Sequence, residues 1–136
     1  MLTRRGFAAC VICSLGGFAA TDAGAQNAAT TPGLKRKILN QIDGPTEGYV
    51  TIIAEAEIDP GFAVAKHIHP GIESTYVIEG GAELLVDGKE PLTLKAGDSF
   101  QVAPNTPHLA KNGSAKTRLL VNYIVEKGKP LAIPVT

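Results

Sequence analysis

The sequence has little of several features on which particular functions depend. It has no tryptophan, its aromatic residues make up 5% of the chain, and its 13 basic and 13 acidic residues cancel to a net charge of zero. A nucleic-acid-binding domain usually has a basic excess and often exposes aromatic side chains for base stacking. Clustered basic residues that would hold the chain on an anionic membrane are also absent. Nucleic acid and membrane surfaces are therefore not expected partners.

The chain also lacks an apolar run of the roughly 20 residues that a membrane-spanning helix needs. A shorter stretch of small and apolar residues, 8–20, follows Arg4 and Arg5 and precedes the sequence Ala23-Gly24-Ala25. A basic start, a short apolar region and a small-residue exit are typical of a secretory signal peptide. We expect residues 1–25 to be such a peptide, and the protein to be periplasmic or secreted with no stable membrane anchor.

The first residues of this peptide, Thr3-Arg4-Arg5-Gly6-Phe7, resemble a twin-arginine export signal. Ala8 and Ala9 stand where that signal often has Leu and Lys, and an ordinary Sec signal is the alternative. The twin-arginine route exports folded proteins, so a cofactor could be inserted before export. Both cysteines, Cys10 and Cys13, lie in this segment and would leave with it. Disulfide or redox chemistry is therefore not expected in the remaining chain.

Proline and glycine divide the rest of the chain into short apolar runs. Residues 26–33 are predicted to form a flexible leader, residues 34–127 to contain roughly eight or nine strands, and residues 128–136 to form an extended tail. The first run, Leu34–Ile42, is ambiguous between a strand and a short helix because it contains three basic residues. No segment has sustained helical periodicity. The pattern predicts an all-β protein, either an antiparallel sandwich or a barrel.

Histidine is rare, with only three in the chain, and these are the candidate metal ligands. His67 and His69 alternate on a predicted strand, so their side chains share one face and could bind one metal ion. Glu73 follows a turn and could add a carboxylate, and His108 could return beside the first strand in an antiparallel barrel. A histidine pair on a strand is more often found without a metal, so both interpretations stay open at this point.

The same predicted strand, Phe62–His69, suggests what surrounds the two histidines. Ala63 and Ala65 lie four and two residues before His67, so on a regular strand their side chains would point to the same face as His67. This alternation predicts small side chains beside the site. They would leave volume for water or an organic ligand, or they would merely fit a tapering barrel.

The spacing of these residues resembles the two signatures of the cupin superfamily. Residues in the pattern Gly61-x5-His67-x-His69-x3-Glu73-x6-Gly80 occupy every fixed position of the first signature. The chain is accordingly identified by resemblance as a single-domain cupin.

The second signature is matched at Gly97, His108 and Asn112. Ala103 stands where proline is usual, and Asn105 stands where glycine is usual. Asparagine tolerates the left-handed backbone conformation better than other residues with a side chain, so the turn is expected to survive. The departures affect loop geometry and leave the positions of the ligands unchanged.

The resemblance implies an all-β cupin double-stranded β-helix, or jelly-roll barrel, around one metal ion. It implies that the protein ligands are His67, His69, Glu73 and His108. Many members are homodimers and act on small organic molecules as dioxygenases, isomerases, lyases or decarboxylases, while others only bind ligands.

Three imidazoles and one carboxylate favour Mn(II) or Fe(II), and Zn, Ni, Cu and Co are the alternatives. We expect a metal-dependent oxidoreductase with dioxygenase-like chemistry on a small organic substrate. The alternative is a non-catalytic protein that binds metal or a small ligand. No residue beyond the ligands has a pattern that assigns it a catalytic role.

Overall fold

The computed structural model describes residues 31–136, where the chain forms ten strands and no helix. The all-β prediction is therefore confirmed. The predicted signal peptide, 1–25, and residues 26–30 of the predicted leader lie outside the described residues. The described part also contains no helix with the length and hydropathy of a membrane span. The strands are β1 (Leu34–Asp43), β2 (Tyr49–Ile58), β3 (His67–Ile68), β4 (Gly71–Glu79), β5 (Ala82–Val86), β6 (Leu92–Thr93), β7 (Ser99–Val102), β8 (His108–Asn112), β9 (Thr117–Glu126) and β10 (Ile133–Pro134).

These strands form two five-stranded antiparallel sheets. The strand order is β1-β2-β9-β4-β7 in the first sheet and β10-β3-β8-β5-β6 in the second. The longest pairing joins β2 to β9, from Tyr49 opposite Glu126 to Ile58 opposite Thr117, although these strands are far apart in the sequence. Strands that are distant in sequence and adjacent in the sheet give the double-stranded β-helix of a jelly roll.

Alternation along the strands places one face of each sheet in the interior. On β2, the buried residues are Val50, Ile52, Ala54, Ala56 and Ile58. Full burial of a valine or isoleucine side chain contributes roughly 1.5–3 kcal/mol. A shift of register by one residue would expose this whole set, so the pattern specifies the pairing strongly.

The run left open between strand and helix forms β1, because it pairs along its length with β2. Leu34, Arg36 and Ile38 alternate with the exposed residues Lys35 and Lys37. Basic residues that are consecutive in the sequence therefore point in opposite directions. Arg36 lies on the interior side, whereas its two lysine neighbours face solvent.

The predicted strand Phe62–His69 is interrupted. Ala63 pairs with Lys111, but His67 pairs with His108, so the register moves by one residue between them. Such an irregularity breaks the ladder and reverses which side chains face inward. Val64 is buried and Ala65 is exposed. The prediction that Ala63 and Ala65 share the inward face of His67 is therefore wrong.

The chain end returns to the second sheet. In β10, Ile133 lies opposite Ile68 and Pro134 lies opposite His67. Leu131, just before this strand, is buried with 5% of its surface exposed. The last residues thus lie against the strand that carries the first candidate ligand.

Candidate metal centre

The four residues predicted as ligands lie together inside the barrel. Their potential ligand atoms are all within 4.8 Å of one another, and the side chains are buried. His67 on β3 lies opposite His108 on β8, and His69 follows β3 directly. Glu73 comes from β4 in the other sheet. Both sheets therefore contribute to the cluster, and its geometry depends on how they pack.

Backbone carbonyls orient all three imidazole rings. Each Nδ1 is within hydrogen-bond distance of a carbonyl oxygen, which can only accept, so the proton is on Nδ1. In the neutral form of each ring, Nε2 is then left with a lone pair available to a metal ion, the usual arrangement for a metal-bound histidine. The acceptors are Ala65 O for His67 at 2.8 Å, Leu131 O for His69 at 2.5 Å and Thr106 O for His108 at 2.9 Å.

The carboxylate of Glu73 lies at the centre of the cluster. Its Oε1 accepts a hydrogen bond of 2.7 Å from the Thr75 hydroxyl. Its Oε2 lies 3.2 Å from His108 Nε2 and 2.9 Å from His69 Nε2. Thr75 thus fixes one oxygen and leaves the other directed at the imidazoles, which is how a supporting residue orients a carboxylate ligand.

Burial and the carboxylate act on the ionisation of the cluster in opposite directions. Burial lowers the pKa of His67 from 6.5 to about 4, so this ring is neutral near pH 7. Burial also disfavours the charged form of His108, but the hydrogen bond and charge of Glu73 outweigh it and raise the pKa of His108. Although burial alone would raise it, contacts with His108 and His69 hold the pKa of Glu73 well below its usual range. Glu73 therefore stays ionised in the interior, where its carboxylate can attract a cation.

One buried atom tests whether a metal ion fits this group. His69 Nε2 has no hydrogen-bond partner, because its close approach to Glu73 Oε2 lacks hydrogen-bond geometry. A buried polar atom left unpaired costs roughly 1–3 kcal/mol. A divalent ion would satisfy this nitrogen together with Glu73, His67 and His108, and the mixed N and O donor set suits such an ion. The residues therefore fit a metal, and they could hold one.

Two cavities that share Arg36 and His67 in their linings lie at the site. The inner cavity, of about 40 Å³, is lined by His67, Glu73, His108 and the apolar interior of the barrel. The outer cavity, of about 230 Å³, reaches His67 and Arg36 from the side of residues 62–66. Together they are smaller than a drug-sized pocket, which occupies about 300–1,000 Å³. The space suits water or a small molecule beside the ligands.

The loop before β8 connects the ligands through its backbone. Asn105 has φ = 53°, and its N–H donates to the carbonyl of His69 at 2.9 Å. The expectation that asparagine accepts the left-handed conformation at this position is confirmed. Thr106, the next residue, supplies the carbonyl that holds His108. One turn therefore sets the position of two ligands.

Three residues that contact the candidate ligands, Thr75, Tyr123 and Leu131, were not predicted from the sequence to belong to the site. Alternation along β4 indicates that Thr75 shares the face of Glu73, and this signal could have found it. Tyr123 packs against the His69 ring with centroids 4.9 Å apart. Leu131 supplies its carbonyl from 62 residues away, and no local pattern in the sequence marks it.

Comparison with known proteins places these observations in a family. The model described as "Cupin domain" matches residues 54–125, which is more than half of the chain. No curated protein matches the chain.

Solved structures share the fold at low sequence identity. An RmlC-like cupin from Shewanella frigidimarina is 27% identical, with a TM-score of 0.60, and the match covers 74% of this chain and 83% of that one. The polyketide cyclase RemF from Streptomyces resistomycificus is 23% identical, with a TM-score of 0.60 and coverage of 76% and 72%. A salicylate 1,2-dioxygenase mutant from Pseudoaminobacter salicylatoxidans is 20% identical, with a TM-score of 0.57 and coverage of 71% and 26%.

Proposed function

The chain belongs to the cupin domain family, and on that premise we propose that it is a metal-dependent enzyme, a dioxygenase-like oxidoreductase acting on a small organic molecule. The observation that carries the proposal is the set of three imidazoles whose Nδ1 protons are held by carbonyls, leaving their Nε2 atoms near Glu73. A second support is the outer cavity, which extends from His67. The fold itself accommodates such chemistry, since its solved neighbours include a dioxygenase and a cyclase.

In this proposal the ligands are His67, His69, Glu73 and His108. A bound divalent ion would supply Lewis-acid and redox chemistry at the positions that the protein leaves open. Glu73 provides negative charge, and Thr75 holds its carboxylate in place. The buried, largely apolar surroundings limit access of water, which strengthens every electrostatic interaction in the site.

We further propose that the ion is Mn(II) or Fe(II), loaded in the cytoplasm before export. The donor set is hard enough for either ion, and folding before export would avoid competition from copper and zinc, which bind more tightly. Removal of residues 1–25 would then leave a periplasmic protein that begins at Gln26.

The test is to purify the protein from the periplasm, determine its N-terminus and measure its metal content by elemental analysis. We expect one Mn or Fe per chain, and dioxygen consumption with at least one compound in a broad set of small organic molecules. His67→Ala should lose the metal and the turnover while keeping the β-sheet circular dichroism of the wild type. Stoichiometric zinc or copper would contradict the proposed ion. A metal-loaded protein that converts no compound would contradict the proposed enzyme.

The alternative function is binding without catalysis, and one observation favours it. Among the described residues that line the two cavities, the titratable side chains other than the ligands are Arg36, Lys66 and Tyr123. Lys66 is paired with Asp87 at 2.8 Å, and burial together with the charge of Glu73 raises the pKa of Tyr123 above its usual value of 10. None of them is a histidine or a carboxylate, the side chains that most often act as general bases. A ligand that raises the melting temperature without forming product would identify this function.

We also propose that the protein is a homodimer that pairs through the outer face of the first sheet. This face exposes large apolar side chains on its central strands, and such patches often mark protein interfaces. A two-fold dimer would bring the same patch of each copy together. The residues are Ile53, Ile72, Tyr76, Ile78 and Leu120, each 39–48% exposed.

Leu120→Lys should convert the dimer to a monomer, because it places a charge in the centre of the proposed contact. Sedimentation equilibrium at micromolar concentration measures the mass. Leu92→Lys is the matched control, since Leu92 is similarly exposed at 46% but lies on β6 of the other sheet. Equal masses for the two variants would contradict this interface.

A further inference from the structure

Arg36 is a charged residue on the interior side of the barrel. It lies on β1 opposite Ala56, between the inward-facing residues Leu34 and Ile38. It lines both cavities, the inner one bounded by His67, Glu73 and His108 and the outer one bounded by His67. Charged side chains are rarely placed inside a protein unless a partner is present. The position of Arg36 therefore calls for a partner.

The described residues provide only part of that partner. The Nε atom of Arg36 is buried and has no hydrogen-bond partner. Ion pairs formed within residues 31–136 do not include Arg36. Tyr123 lines the inner cavity together with Arg36, and its hydroxyl is the polar group closest in kind to a partner there. A guanidinium has five N–H donors, so one hydroxyl leaves most of them available.

The charge of Arg36 also reaches the metal centre. Arg36 lines the inner cavity together with His67, Glu73 and His108, which places its charge beside three of the candidate ligands. Glu73 is the only carboxylate that lines the inner cavity among the described residues, and no carboxylate lines the outer one. With a divalent ion bound to Glu73, the interior would carry a net positive charge beside open space.

We propose that Arg36 binds the carboxylate of the ligand, and that the natural ligand is a small organic acid lying between Arg36 and the metal centre. A guanidinium pairs with a carboxylate through two parallel hydrogen bonds, which gives both strength and orientation. The outer cavity of about 230 Å³ limits the acid to a small one. The identification of this acid as a substrate rests on the proposed function, whereas its binding by Arg36 does not.

The inference is tested by calorimetric titration of the purified protein, in metal-free and metal-loaded form. The probes are acetate, butyrate and benzoate, each compared with its neutral amide: acetamide, butyramide and benzamide. We expect at least one carboxylate to bind about tenfold or more tightly than its amide, since hydrogen bonds between ionised partners are roughly twice as strong as neutral ones. This comparison uses the wild-type protein and depends on no substitution.

Two variants then locate the effect. Arg36→Gln should abolish the preference for the carboxylate, and Arg36→Lys should retain only part of it because lysine cannot form the paired contact. Lys37→Gln is the matched control, because it removes the same charge from the next residue of β1, which faces solvent. Lys37→Gln should bind the probes as the wild type does.

The inference is overturned if every amide binds as tightly as its carboxylate, or if Arg36→Gln and Lys37→Gln bind the carboxylates equally. Metal affinity is measured for each variant beforehand. Normal metal binding without a carboxylate preference contradicts the role of Arg36 alone. A preference that depends on Arg36 in a protein that binds no metal supports that role and contradicts the proposed function.

Discussion

Glu73→Gln should lower the affinity of the protein for Mn(II) or Fe(II) by more than about 100-fold. Loss of a residue that only supports a metal ligand lowers metal affinity by up to about 100-fold, and loss of a ligand itself should cost more. The glutamine has nearly the same shape but no charge, and its amide group presents N–H donors where the metal needs an oxygen lone pair. The residue is 7% exposed, so solvent cannot replace the lost charge. Competition with a fluorescent chelator measures the affinity.

Glu79→Gln provides the control for this substitution. Glu79 lies on the same strand, β4, but its side chain is 61% exposed and lies 3.5 Å from Arg118 on the surface. It should bind metal as the wild type does. If the two glutamine variants have the same metal affinity, Glu73 is not a ligand and the proposed centre is incorrect.

Removal of the metal should lower the melting temperature by more than about 15 °C. An ion present at about 1,000 times its dissociation constant adds about 4.1 kcal/mol to stability, and each kcal/mol moves the melting temperature of a domain near this size by about 4–8 °C. Without the ion, His69 Nε2 returns to its unpaired state in the interior. Thermal denaturation followed by circular dichroism, before and after treatment with a chelator and after return of the metal, measures the shift.

His67→Ala is the variant that checks this result. Among the three histidines, His67 is the one without a close contact to Glu73 Oε2, so its loss removes a ligand without separating the Glu73–His108 pair. Its melting temperature should not respond to the chelator. A wild-type protein that melts at one temperature with and without metal would contradict a structural contribution of the ion.

His67, His69 and Glu73 could be proposed as ligands from the sequence because histidine is rare in it and their spacing is local, whereas His108 was assigned by its place in the second cupin signature. The chain has three histidines, and all three lie in the cluster with Glu73. Alternation on a strand is enough to place His67 and His69 on one face. The backbone at Asn105 was predictable for a similar reason, since one residue's steric freedom determines whether it accepts φ = 53°.

Other features depend on register, which local patterns do not contain. The one-residue irregularity between Ala63 and His67 places Val64 in the interior, although simple alternation predicted alanines there. A ladder can gain or lose a residue according to the partner strand, and every side chain beyond that point changes face.

The sequence by itself determined the all-β class and most of the strand pattern, because these depend on residue type and short-range periodicity, and the resemblance to the cupin signatures supplied the four candidate ligands. Only the tertiary structure decided that Leu131 O orients His69 and that Arg36 lies in the interior beside the centre. In the sequence, Arg36 is one of three neighbouring basic residues, a pattern typical of a solvated surface. Its inward direction follows from the pairing of β1 with β2. The register of this pairing is set by the apolar side chains that both strands bury.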